Sequence, residues 1–211
     1  MTGGKRDFDT VAKTWDENPG RVKLSADVAL AITDTIPLSP EMDVLDFGCG
    51  TGLLTLRLRP VIHRICGIDS SEGMLAILEE KIRQGNLPNV TARHIDLDRG
   101  DQIQGRYHLV VSSMTLHHVQ MIQPLLEQFF KILHPGGWLC VADLDPDGGE
   151  FHEDPAGVFH QGFEREFLKK AFRDAGFEQV HARRAATMTK PAADGRSRSF
   201  TISLISGRKI S

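Results

Sequence analysis

Cysteine is scarce in this sequence of 211 residues, and long apolar runs are missing. The three cysteines, Cys49, Cys66 and Cys140, are far apart and form no C-x-x-C pair, so we expect reduced thiols rather than a disulfide framework. No run approaches the about 18 apolar residues that a membrane-spanning helix needs. The start MTGGKRDFDT also lacks the apolar segment of a secretory signal. These absences predict a cytoplasmic protein.

An excess of basic charge is missing too, because the formal net charge is −3. A protein that binds a phosphate backbone usually carries a basic face, so a nucleic acid is an unlikely partner. The acidic segment 143–154 begins like a calcium-binding loop. Pro146, Glu150 and an aspartate in place of glutamate at its twelfth position oppose that function. No metal site is predicted.

The composition, 40% hydrophobic and 25% charged, predicts one domain over residues 1–211. Apolar spacing predicts a helical lead-in at 1–40, which we interpret as a lid. A cofactor-binding core follows at 41–144, and an irregular loop at 145–162 faces the acceptor. Residues 163–211 predict a helix followed by a hairpin.

Within the core, short apolar runs alternate with helical stretches. The helices are predicted at Thr51–Leu58, Ser71–Gln84 and Val119–Leu133, each long enough to connect two parallel strands. The predicted strands are MDVLDF, RICGID, NVTARHI, YHLVVSS and GWLCVADL. This alternation predicts an open, doubly wound, Rossmann-like α/β sheet.

A glycine loop follows the first predicted strand, which ends at Asp46. Gly48, Gly50 and Gly52 allow the backbone to approach a ligand that any Cβ would displace. In a dinucleotide loop, G-x-G-x-x-G, the third glycine stands one position later, where this chain has Leu53. The spacing therefore disfavours a nicotinamide cofactor. A tight turn without a ligand is the alternative.

Acidic residues after the next two strands predict the rest of a nucleoside site. Asp69 ends the second strand, where a carboxylate accepts hydrogen bonds from ribose hydroxyls, and Ser70 is assigned to the same site. Asp96 follows the third strand and fits an adenine edge, or else a solvated acidic turn. Met74 fits an apolar face for the base, or else simple core packing.

These motifs in this order resemble those of class I S-adenosylmethionine-dependent methyltransferases, most closely the small-molecule branch with ubiquinone and menaquinone C-methyltransferases. The resemblance is dense from Val44 to Asp143. It implies seven strands with a C-terminal antiparallel hairpin, and S-adenosylmethionine as the cofactor. By position it assigns Gly48, Cys49, Gly50 and Gly52 to the methionine portion, Asp69 to ribose, Asp96 and Leu97 to adenine, and Ser112 to the methionine end.

The acceptor is predicted less sharply than the cofactor. After the fourth strand the chain has Ser112-Ser113-Met114-Thr115, whereas enzymes that methylate nucleic-acid bases resemble [DN]-P-P-[YF] there. We therefore expect a small-molecule acceptor, methylated on oxygen or carbon. A sensor that binds the cofactor without turnover, and a methyltransferase acting on tRNA or protein, stay open as alternatives. The oligomeric state stays open as well.

Histidines are the candidate catalytic residues, because their pKa suits proton transfer near neutral pH. His117 and His118 follow the fourth strand at the edge of the sheet where ligands bind. His117 is the first candidate base, and capping or packing of the next helix is its alternative role. His160 and His152 in the 145–162 loop are weaker candidates. Trp15 in the lead-in is assigned to the cofactor as part of the lid, or else to core packing.

Overall fold

A computed structural model describes residues 7–191 and 197–211 of the chain. Its sheet has the strands β1 Asp43–Phe47, β2 Arg64–Asp69, β3 Val90–His94, β4 Tyr107–Ser113, β5 Leu133–Leu144, β6 Glu178–Pro191 and β7 Ser197–Arg208. Its helices are α1 Pro19–Thr35, α2 Leu53–Leu58, α3 Glu72–Gln84, α4 Ile122–Ile132 and α5 Arg165–Asp174. Short 3-10 helices lie at Ala12–Glu17, Arg59–Val61, Leu97–Arg99 and Leu116–His118.

The seven strands form one sheet in the order β3-β2-β1-β4-β5-β7-β6. The pairs from β3 to β5 are parallel, and β7 runs antiparallel to both β5 and β6. The chain winds from β1 outward to β3, returns to β4 beside β1, and continues the other way. The predicted Rossmann-like, doubly wound fold with an antiparallel C-terminal hairpin is confirmed. Its switch point lies between β1 and β4, where ligands of such sheets bind.

The C-terminal hairpin is longer than the apolar pattern predicts. In β6 and β7, pairing runs from Glu178 opposite Arg208 to Pro191 opposite Ser197. Main-chain hydrogen bonds extend the strands beyond their apolar residues into polar ends, which the apolar pattern does not mark. The turn predicted between them from the sequence PAADG, at 191–195, lies outside the described part of the chain except for its first residue.

The two faces of the sheet are covered by different helices. Leu54 of α2 and Leu78 of α3 lie in one buried cluster, which also includes Val28 of α1. Phe129 of α4 and Phe172 of α5 lie in a second cluster on the other face. Because the parallel strands are buried on both faces, their sequences are nearly continuous apolar runs. Among the described residues, no helix has both the length and the apolar character needed to cross a bilayer.

The lead-in forms a helix with clear start signals. Asn18 caps α1 by accepting hydrogen bonds from the backbone N–H groups of Gly20 and Arg21, and Pro19 stands at the first helical position. The predicted helical lead-in is therefore present. It begins with the 3-10 turn Ala12–Glu17, which packs near α3 and carries Trp15 toward the carboxyl edge of the sheet.

Candidate functional site

A cleft of about 590 Å³ opens at the carboxyl ends of β1, β2 and β4. Its volume lies in the range of about 300–1,000 Å³ that is usual for small-ligand sites. The glycine loop after β1 forms one part of its wall, and the turn after β4 forms another. The lead-in and the 145–162 loop complete it. The cleft therefore brings together four segments that are distant in the sequence.

The glycine loop adopts the backbone geometry that its sequence predicts. Gly48, Gly50 and Gly52 have φ angles of 71°, 52° and 83°, in the left-handed region that disfavours other residues. A Cβ on Gly48 would lie 2.2 Å from the hydroxyl oxygen of Thr115. A Cβ on Gly50 would meet only the Met74 sulfur, at 3.9 Å, so this glycine borders open space.

Gly52 does not line the cleft, although Gly48, Cys49 and Gly50 do. Its left-handed conformation starts α2 at Leu53, two residues later than the predicted start at Thr51. A Cβ on Gly52 would lie 2.4 Å from a methyl carbon of Leu78 in α3. This glycine is therefore needed for the turn and for close packing of the loop on α3.

Asp69 connects the end of β2 to the glycine loop. Its Oδ2 accepts a hydrogen bond from the Gly50 N–H at 2.8 Å, and its Oδ1 accepts one from the Ser71 N–H at 2.9 Å. Asp69 also lines the cleft. Ser70 lines the cleft as well, while Ser71 is the N-cap of α3.

Asp46 is a buried acid at the base of the same loop. It is 1% exposed, and its Oδ2 accepts the Thr55 hydroxyl at 2.5 Å. Burial, with a smaller contribution from the nearby charge of Asp69, raises the pKa of Asp46 to about 7. Folding therefore shifts this group toward its protonated form, which predominates below about pH 7.

The raised pKa of Asp46 predicts a pH-dependent stability difference. A group whose pKa is raised on folding stabilises the protein most below its unfolded pKa of about 3.9. That contribution is lost as pH rises through the folded value of about 7. Asparagine at 46 stays neutral and keeps an oxygen for Thr55. We expect the melting temperature of Asp46→Asn, relative to the original protein, to rise from pH 5 to pH 8.

Asp43→Asn is the matched control for this series. Partial burial opposes ionisation of Asp43, but hydrogen bonds from Arg64 and His63 hold its pKa below the ordinary value. Its stabilising contribution is present above the unfolded pKa and is lost on acidification. The relative melting temperature of this variant should therefore stay constant from pH 5 to pH 8 and rise only below about pH 4, where the original protein loses this contribution. Parallel trends for the two variants would contradict the assignment for Asp46.

The residues predicted for adenine lie together at one end of the cleft. Asp96, Leu97 and Met74 all line it. Asp96 is 6% exposed and also caps the 3-10 helix Leu97–Arg99, its Oδ1 accepting from the Asp98 N–H at 3.1 Å. The alternative of a solvated acidic turn does not fit this burial. Met74 is 2% exposed, so it also belongs to the packed base of α3.

Besides Gly52, two more predicted site residues lie off the cleft. Ser112 is fully buried, and its neighbour Ser113 lines the cleft in its place, because successive side chains of a strand point to opposite faces. The His160 ring lies with Nε2 3.0 Å from the carbonyl oxygen of Val119, and the backbone N–H of His160 donates to the His117 carbonyl at 3.2 Å. His160 therefore anchors the 145–162 loop to the turn after β4.

His117 forms a buried pair with Asp143, the next-to-last residue of β5. The two side chains are 1% and 0% exposed, and His117 Nδ1 lies 2.6 Å from Asp143 Oδ1. Burial opposes ionisation of Asp143. Attraction to His117 and hydrogen bonds from His117 and the Leu144 N–H nevertheless hold the pKa of Asp143 below its ordinary value. His117 Nδ1 therefore carries the proton, and Nε2 is buried without a hydrogen-bond partner among the described residues.

The lead-in packs over the glycine loop. Trp15 lines the cleft, and the Arg21 guanidinium lies 3.7 Å from the centre of its ring. Asp9 accepts from the Gly73 N–H at 2.8 Å, and Asp16 accepts from the Thr51 hydroxyl at 2.6 Å. Sequence reasoning missed both aspartates, because nothing in the lead-in marks a contact with residues so distant in the chain.

The sequence matches a known protein family over most of its length. The methyltransferase domain family matches residues 21–182. The chain belongs to this family. Together with the sheet order, this confirms the predicted class I methyltransferase at the level of family and fold. An uncharacterised methyltransferase of Schizosaccharomyces pombe is 33% identical over 175 residues, which cover 76% of this chain and 62% of that protein. The methyltransferase described here thus spans less than two thirds of that relative.

Solved methyltransferases share its fold. A SAM-dependent methyltransferase from Aquifex aeolicus is 17% identical, with a TM-score of 0.70 over 95% of this chain and 98% of the other. Phosphoethanolamine N-methyltransferase 2 from Haemonchus contortus, in complex with S-adenosyl-L-methionine, is 15% identical, with a TM-score of 0.71 over 99% of this chain and 61% of the other. At these identities the likeness shows a common fold.

Proposed function

We propose that this methyltransferase transfers a methyl group from S-adenosylmethionine to a hydroxyl or an acidic carbon of a small molecule. One observation carries the proposal. A single cleft joins the glycine loop and Asp69 to His117, whose ring is paired with the buried Asp143 behind it. A cofactor subsite and a proton acceptor therefore face the same enclosed space. Within the family, the sequence resemblance favours the branch of ubiquinone and menaquinone C-methyltransferases.

The residues of the cleft suit the proposed cofactor. Gly50 borders open space where a Cβ would project, as close approach of a ligand to the backbone requires. Asp69 offers charged acceptors for ribose hydroxyls, Asp96 offers a buried acceptor for the adenine edge, and Leu97 offers an apolar surface beside it. Asp46, Ser70 and Cys49 complete the wall around the loop.

The bound cofactor supplies an electrophilic methyl carbon, which bonds to the acceptor as its bond to sulfur breaks and S-adenosylhomocysteine is left. The protein must position the acceptor, exclude water and remove one proton. Nε2 of His117 takes that proton, because Asp143 holds the other ring nitrogen in its protonated form. Asp143 also stabilises the imidazolium that results.

The wall at the histidine end favours a small acceptor with an apolar part. The ring of Phe8 lies edge-on to His118, and that of Phe151 edge-on to His152. Phe159 and Met188 also line the cleft. Trp15 and the 3-10 helix Ala12–Glu17 act as a lid over the cofactor, and the 145–162 loop covers the acceptor. In this proposal, residues 1–211 act as one catalytic domain.

Action on tRNA has less support. Basic residues of the C-terminal hairpin would have to form the RNA surface, yet several have acidic partners within the chain. Arg183 lies 3.6 Å from Asp34, and Arg198 pairs with Glu150. A sensor without turnover would have little use for the buried pair of His117 and Asp143 facing the cleft. Both alternatives are outcomes of the experiment that follows.

Ligand-dependent melting and a turnover assay test the proposal. S-adenosylhomocysteine should raise the melting temperature, because it binds only the folded state, whereas NADH should leave it unchanged. Small-molecule acceptor pools should then produce S-adenosylhomocysteine from S-adenosylmethionine. Stabilisation by NADH alone would overturn the proposed cofactor. Stabilisation without turnover on any small molecule would favour the sensor, and turnover on tRNA or protein alone would overturn the proposed acceptor.

A further inference from the structure

Three histidines meet at the acceptor end of the cleft. His117 and His118 follow β4, and His152 comes from the 145–162 loop. One ring nitrogen of each lies within 4.8 Å of a ring nitrogen of the others. The ring centre of His117 lies 4.2 Å from that of His118 and 4.9 Å from that of His152. All three side chains line the cleft.

Hydrogen bonds fix the ring orientation of two members. His117 Nδ1 donates to Asp143, as described above, and His118 Nδ1 lies 2.6 Å from the Gly157 carbonyl oxygen. A carbonyl oxygen only accepts, so Nδ1 of His118 carries a proton and the lone pair of its neutral ring is on Nε2. Nε2 of His117 is likewise a lone-pair nitrogen, and it is buried without a hydrogen-bond partner among the described residues.

A buried acceptor nitrogen without a partner is costly for a folded protein. A metal ion bound to Nε2 of His117 would supply the missing partner for this nitrogen. Imidazole nitrogens are ligands of zinc and related transition metals, whereas magnesium and calcium prefer oxygen. Metal-bound histidines usually donate their other N–H to a carboxylate or a backbone carbonyl. Asp143 is that partner for His117, and the Gly157 carbonyl is that partner for His118.

We propose that His117, His118 and His152 bind one divalent transition-metal ion of the zinc class. Bonds of about 2.0–2.1 Å from nitrogen to zinc require the three nitrogens to move closer than 4.8 Å. His152 can move, because it lies in an irregular loop rather than in a helix or strand. Three protein ligands leave a fourth position open, as in catalytic zinc sites.

The role of the ion rests on the proposed function, although the site itself does not. Because all three histidines line the cleft, the open position of an ion held by them would be reached from the cleft, and an acceptor with an oxygen ligand would be held there beside the cofactor. With the ion bound, Nε2 of His117 holds the metal instead of taking the proton. The acceptor hydroxyl then ionises on the ion and its proton leaves to water. The inferred acceptor is therefore an oxygen-bearing small molecule.

Cobalt(II) binding to the full chain, first stripped with a chelator, tests the site directly. We expect one equivalent to bind with the visible absorption of tetrahedral cobalt, and zinc to displace it. His118→Ala and His152→Ala should abolish that spectrum. Asp143→Asn should weaken binding by about 10- to 100-fold, as loss of a partner behind a metal ligand usually does.

His134→Ala is the matched control. His134 stands near the opposite end of β5, where its ring contacts that of His108 at 4.6 Å, so its loss should leave the cobalt spectrum unchanged. Absence of binding, or binding that survives in both His118→Ala and His152→Ala, overturns the metal site. Stabilisation by S-adenosylhomocysteine, measured on the same samples, reports on the cofactor separately. Failure of one proposal is thus distinguishable from failure of the other.

Discussion

Replacing Asp69 by alanine is expected to weaken S-adenosylhomocysteine binding by about a hundredfold or more. A hydrogen bond to a charged group contributes about 1.5–3 kcal/mol, and a ribose offers two hydroxyls to this carboxylate. Each 1.4 kcal/mol corresponds to about a tenfold change in affinity. The variant also loses the acceptor that holds the Gly50 N–H, so the glycine loop becomes less ordered. Isothermal titration calorimetry measures the affinity.

Asp98→Ala is the control for that variant. Asp98 lines the same cleft and carries the same charge, but it follows Asp96 in a 3-10 turn instead of contacting the glycine loop. We expect the affinity of Asp98→Ala for S-adenosylhomocysteine to stay within a fewfold of that of the original protein. Circular dichroism establishes that both variants are folded. Equal losses in the two variants would show that general charge, rather than ribose recognition by Asp69, governs binding.

Replacing His117 by asparagine is expected to lower kcat by about 100- to 10,000-fold, the usual contribution of a positioned acid or base. Cofactor affinity should be nearly unchanged, because the ribose and adenine residues lie in other segments of the cleft. Asp143→Asn should lower kcat as well. Its amide can donate to Nδ1 and so favours the ring form that has no lone pair on Nε2.

Steady-state kinetics with a turnover-competent acceptor, together with cofactor titration, check this expectation. His160→Gln serves as the control, because His160 lies off the cleft and a glutamine amide can keep the hydrogen bond to the Val119 carbonyl that anchors the 145–162 loop. It should retain most of the activity. A His117→Asn variant with full kcat would exclude both proton transfer and metal binding at His117 as parts of the reaction.

The sheet was largely predictable from local patterns. Short apolar runs alternate with helical stretches, and parallel strands buried on both faces require that alternation. The residues at which individual helices and strands begin were less predictable. Helix α2 begins at Leu53 because Gly52 is left-handed, and β5 begins at Leu133 because that residue pairs with Tyr107 of β4. The backbone conformation and the strand partner determine such limits, and the apolar pattern reports neither.

The cofactor end of the site was also predictable, for a reason of topology. The carboxyl ends of adjacent parallel strands lie at one edge of the sheet, so residues after β1, β2 and β3 must meet there. Gly50, Asp69 and Asp96 all line the cleft as this rule requires. Ser112 is one exception, because a shift of one residue along β4 turns a side chain to the other face. Gly52 is another, because it forms the left-handed turn into α2.

The acceptor end was not predictable in this way. Asp143 looked like the start of an acidic loop, and His152 like one more loop histidine, because sequence spacing carries no record of contacts between distant segments. The sequence by itself determined the fold and the glycine loop, since local periodicity and left-handed glycines act over a few residues. Only the tertiary structure decided that His117 pairs with Asp143 and meets His118 and His152. Those contacts exist only after β4, β5 and the 145–162 loop have packed at one edge of the sheet.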